Sequence, residues 1–237
     1  MEFQKIKINV PLWGLFLAFL ISLIAISALA FWKGDDPKFI ALIGGLLSGL
    51  LVFSLQFLLQ IIALHRLDRF EQMGVIDLLN SRHDKEYYRP IVRGAKNEVK
   101  VMGASCTRFI SDFMDTKSSD RALIDALREN DTLTVQILIP TTSRMIGTDP
   151  QRWEAEKAKI ARVVREFNGR VEVRRFDDVV RHSFVLADND LVAGPILPGD
   201  DSRNTPAVHV RTDTALGQKY RRYFERVWKG SDVESFA

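Results

Sequence analysis

Two stretches of this chain carry no ionisable side chain and are long enough to fix its surroundings. Val10–Phe31 is one, and Phe39–Leu64 is the other. As helices rising about 1.5 Å per residue, each would cross a hydrocarbon core roughly 30 Å thick. From His65 onward no run of that length recurs, and mixed charge takes over. The chain therefore reads as a two-span membrane protein carrying one soluble domain of about 170 residues. The expected division is a transmembrane hairpin over 1–65, a helical stalk or linker over 66–95, and a soluble domain over 96–237.

The connector "WKGDDPK" is short enough to force the spans into an antiparallel hairpin. Ala28-Leu29-Ala30 has the look of a signal-peptide cleavage site, but the first run exceeds a signal h-region and a second follows at once. The first span is thus expected to be retained. Lys5 and Lys7 precede it, and Arg66, Arg69 and Arg82 follow the second. That bias favours a multi-pass topology in a bacterial-type inner membrane, with both termini cytoplasmic.

The second span is patterned. Ala41, Gly45, Ser48, Gly49, Val52, Gln56, Gln60 and Ala63 fall on one stripe at helical spacing. Gly45 and Gly49 form a Gly-x-x-x-Gly pair, which permits close helix approach. Gln56 and Gln60 carry amides that lipid cannot satisfy, so the stripe should meet protein or water. It could pack against Ala18, Ser22, Ala25 and Ser27 of the first span, associate with other copies, or line a pore.

Of 33 Lys+Arg and 30 Asp+Glu, the first 65 residues hold four and three, leaving 29 against 27 for the rest. That near-balance does not suit a dedicated nucleic-acid domain. The single Cys106 excludes an intrachain disulfide or a cysteine-rich metal site, and reads as a small buried residue. No cofactor or metal is expected.

Beyond the spans, "HRLDRFEQMGVIDLLNS" keeps a helical rhythm with Gly74 as a weak point. "KEYYRPIVRGAKN" reads as a helix, "EVKVMGAS" and "LTVQILIP" as buried strands, and "SSDRALIDALREN" as a helix capped by Ser119 or Asp120. A long helix lies between Pro150 and Gly169, followed by the strand "RVEVRRF". "HSFVLADND" and "LVAGP" suggest a hairpin, "PAVHVRT" a further strand, and "DTALGQKYRRYFERVWKG" a closing amphipathic helix capped by Asp213. The sum is α/β, a sandwich with a mixed sheet. Phe109, Phe113, Leu133, Ile137, Val163, Phe167, Val185, Phe224 and Trp228 are its natural core.

The order "VKVMGAS", "LTVQILIP", "VEVRRF", "HSFVLADNDLVAGP" and "YFERVW" resembles the phospholipase D-like superfamily over roughly 75–230. That resemblance implies a histidine nucleophile, a lysine two residues later holding phosphate, an acid orienting the imidazole, and two chains meeting at one site. His182 matches the nucleophile. The lysine slot holds Phe184, Asp188 matches the acid only across a deletion, and Gly194 is followed by Pro195 where a serine belongs. Phosphoryl transfer depends on positioning and charge stabilisation, so losing the cation removes much of the catalyst.

The expected function is therefore a non-catalytic membrane sensor or effector. Its degenerate domain would bind a protein or ribonucleoprotein partner and control a homo-oligomeric hairpin that perturbs membrane lipid. Two spans plus one sensing domain is a layout similar to membrane effectors of bacterial anti-phage defence, retron systems among them. The alternatives are a homodimeric phospholipase or nuclease acting through paired His182, and a membrane tether.

Overall fold

Apolar sequence in the first part of the chain becomes helix, the conformation that satisfies every backbone group internally. In the computed structural model, which describes residues 12–32, 37–118, 121–145, 149–197 and 205–236, Leu12–Trp32 forms α1 and Pro37–Gln72 forms α2. The chain divides into two compact units, 1–68 and 69–237.

In the first unit Phe19 of α1 meets Phe53 of α2, with ring centroids 5.3 Å apart. The segment Ala41–Gln60 is long and apolar enough to cross a membrane, and nearly all of it is exposed. Gly45 and Gly49 face an open groove lined by Phe19, Leu42, Leu46, Leu50 and Phe53. A Cβ added at either glycine would meet nothing within 4 Å, so α1 does not press on this pair. The hydroxyls of Ser22, Ser27 and Ser48 bond carbonyls of their own helices.

In the second unit the expected helical stalk over 66–95 is interrupted. α2 stops at Gln72, and Gly74 turns the chain at φ +71°, a left-handed conformation natural to glycine. Val75–Leu79 is then a strand, β1, whose apolar residues suit an extended edge as well as a helix face. α3 follows at Lys85–Arg93, capped by Asp84. Glu98–Met102 is β2, Thr107–Phe113 is α4, and Ala122–Glu129 is α5. Arg121 is the residue flanking α5; the expected caps Ser119 and Asp120 lie outside the described residues. Thr134–Pro140 is β3, Asp149–Glu166 is α6, and Val171–Phe176 is β4. His182–Ala187 and Asp190–Pro195 form the expected hairpin as β5 and β6, and Ala207–Arg211 is β7. Ala215–Lys229 is α7 and Asp232–Val233 is β8. α7 is capped by Thr214, whose side chain accepts from the Gly217 N–H, and not by Asp213, which pairs with Arg211 instead.

The strands make one eight-stranded mixed sheet in the order β1-β7-β6-β5-β2-β3-β4-β8. β2, β3 and β4 run parallel, and the other neighbours are antiparallel. Alternation along each strand sends one set of side chains to each face. Val99, Val101, Ile137 and Val185 pack with α3, α4, α5 and α6. Met102, Leu138, Phe184 and Leu186 pack beneath α7 with Phe224. Trp228, expected in the core, is only half-buried.

Candidate functional site

β5 lies between β2 and β6, with His182 opposite Pro195 and Ser183 opposite Gly194. His182 is its first residue and is exposed. Its Nδ1 lies 3.3 Å from the Tyr220 hydroxyl, and the two rings meet edge-on. Two residues along, on the same face, Phe184 is 1% exposed. Its ring meets Tyr220 at 5.3 Å and Phe224 at 6.1 Å, both edge-on. The slot where the resemblance calls for a lysine is thus a core position roofed by α7. An ammonium there would lie against the Tyr220 and Phe224 rings, a costly burial unless it is paired.

Lys100 is the buried lysine on this face. It stands on β2 opposite Leu186, four positions along β5 from His182. It pairs with Glu98 at 2.6 Å and Glu225 at 3.6 Å, so its charge is already matched. Glu98 also pairs with Arg221.

Asp188 does not accompany His182. It follows the last residue of β5, so about 20 Å of extended chain separates the two. Its φ of +47° is tolerated by a short polar side chain, and it closes the two-residue turn between β5 and β6. Its carboxylate accepts from three consecutive backbone N–H groups, Lys96 at 2.6 Å, Asn97 at 3.0 Å and Glu98 at 2.9 Å. Burial pushes this carboxyl up, but the donors from Lys96, Glu98 and Asn97 outweigh it and hold the group below the usual carboxylate range. Asp188 is a clamp between the β5–β6 turn and the loop before β2.

Gly194 is fixed by packing: a Cβ there would come within 2.6 Å of Arg82 Cδ and of the Pro206 carbonyl oxygen. Two of the arginines that could stand in for a lysine are engaged elsewhere. Arg174 pairs with Glu172 and stacks on Trp228 at 4.5 Å, and Arg211 pairs with Asp213. Arg181 is exposed. Cys106 sits in a left-handed conformation at φ +52°, and burial followed by the Asp149 charge pushes its thiol up, away from nucleophilic use. Among the described residues no group of acids, histidines and cysteine could hold a metal ion.

One histidine with buried polar company is His209, which sequence reading passed over. It is 5% exposed on β7. Its Nε2 lies 3.0 Å from Asp190 Oδ1, and its Nδ1 lies 2.7 Å from the Tyr87 hydroxyl. A carboxylate can only accept, so Nε2 carries a proton toward Asp190. Burial, then the Asp77 charge, push the Tyr87 hydroxyl up to about 12. These partners come from β6 and α3, so no local spacing marks them. They join strands β7 and β6 to α3.

No family model matches the sequence, and no curated protein matches it. Solved structures share its outline. It is similar to TrmBL2, an archaeal chromatin protein, at 14% identity and a TM-score of 0.47, covering 82% of this chain and 70% of that one. It is similar to Nuc, a phospholipase D family member from Salmonella typhimurium, at 15% identity and a TM-score of 0.46, covering 67% of this chain and 96% of that one. NucT from Helicobacter pylori matches at 12% identity and a TM-score of 0.43, covering 67% and 98%.

Proposed function

We propose that this protein is a non-catalytic membrane effector. Its helices α1 and α2 cross the bilayer as a hairpin, and its soluble unit, a degenerate phospholipase D-like domain, binds a partner and controls them. The observation that carries the reading is the burial of Phe184 under α7, which leaves exposed His182 with a tyrosine hydroxyl in place of a cation. The cation next to His182 in the chain, Arg181, is exposed and has no ion-pair partner among the described residues to fix it over a phosphodiester, and the acid that would orient the imidazole is at the far end of the strand.

The membrane part rests on α2's exposed apolar segment and on the uncharged 21-residue α1. The groove at Gly45 and Gly49 is the face we assign to self-association, with Gln56 and Gln60 continuing it. A protein or ribonucleoprotein partner would release the assembled hairpins to make the inner membrane leaky, the output of the anti-phage effectors this layout resembles.

The test is membrane potential in cells expressing the full chain. Gln56→Leu with Gln60→Leu should abolish depolarisation, while His182→Ala should leave it intact. Depolarisation lost with His182→Ala and kept in the glutamine variant would favour the phosphodiesterase; indifference to both would leave a tether.

A further inference from the structure

α7 holds five cations and one acid, and it uses them in two ways. Arg221 and Glu225 pair inward with Glu98 and Lys100. Lys219, Arg222, Arg226 and Lys229 recur every three or four residues, so they form one exposed stripe about 15 Å long. None of the four has an ion-pair partner among the described residues. Arg181 extends the patch, since it and Arg226 both act on the Tyr223 hydroxyl, which Asp178 also faces.

The soluble part has nearly equal numbers of acids and bases, so unpaired cations on one helix face mark a surface for a polyanion. Two further observations choose the kind. Tyr220 and Tyr223 are only half-exposed, and Tyr220 is spent on Phe184 and His182, leaving no flat aromatic platform for unpaired bases. In addition, fourteen residues join the apolar segment of α2, Ala41–Gln60, to β1, so a bilayer crossed by that segment is the surface this unit meets at high effective concentration. We propose that the exposed face of α7 docks on the phosphate headgroups of anionic lipid. The proposal rests on the reading that α2 crosses the membrane.

The test uses the full chain with Cys106→Ala and a fluorophore on Ala215→Cys, an exposed position at the start of the stripe. The protein is reconstituted in phosphatidylcholine vesicles with or without phosphatidylglycerol, each containing headgroup-spin-labelled lipid as quencher. Quenching should be strong only with phosphatidylglycerol and should fall with salt. Changing Lys219 and Lys229 to Gln should weaken docking about fivefold per cation removed. Lys219→Glu, Arg222→Glu, Arg226→Glu and Lys229→Glu together should abolish it with an unchanged near-ultraviolet spectrum. Equal quenching in both vesicles, or quenching that survives the four glutamates, overturns docking. So does an unquenched protein whose stripe instead retains a single-stranded oligonucleotide. Failure to float with neutral vesicles would refute the membrane anchor itself, a separate outcome.

Discussion

The backbone N–H groups of Lys96, Asn97 and Glu98, at the start of β2, converge on the Asp188 carboxylate. Asp188→Asn keeps a residue that tolerates positive φ but loses the charge and turns an amide toward the donors. Thermal or denaturant unfolding should show a loss of about 1–3 kcal/mol. Because the folded carboxyl lies below the unfolded value of about 3.9, its contribution is present above that pH and disappears as acid titrates the folded group. The wild type should therefore lose more stability than Asp188→Asn as pH falls below about 4. At this scale the sequence was informative about chemistry and poor about place. The phenylalanine at 184 was visible in "RHSF", but its burial depends on α7, far along the chain. Reading Asp188 as the partner of His182 overlooked strand geometry, which carries the two apart at about 3.3 Å per residue.

At the scale of elements, periodicity was enough for β2 to β6 and for α3, α5, α6 and α7, because each has a clean apolar face or a marked end. It failed at β1, where "VIDLL" fits either period and only pairing with β7 decides. α7 is held by Phe224, fully buried and stacked on Trp228 at 5.5 Å. Phe224→Ala should lower stability by about 3–5 kcal/mol in chemical denaturation, and Trp228→Ala by less, since its ring is partly in solvent. In the first unit, Gly45→Ile with Gly49→Ile would fill the groove that their bare backbone leaves open. Light scattering in detergent should then show a smaller assembly; an unchanged mass would remove that face from self-association.

Across the whole molecule, an apolar helical unit is joined to a mixed α/β unit with an eight-stranded sheet. The second unit covers β5 with α7 on one face and four helices on the other. On the function proposed above, that covering leaves a domain that binds without cleaving, and the membrane helices do the work. The most direct measurement is mass spectrometry of the purified full chain, acid-quenched during incubation with phospholipid and with DNA. The account requires unmodified His182 and intact substrate. Phosphate, or a phosphatidyl or nucleotidyl group, covalently attached to His182 would contradict it.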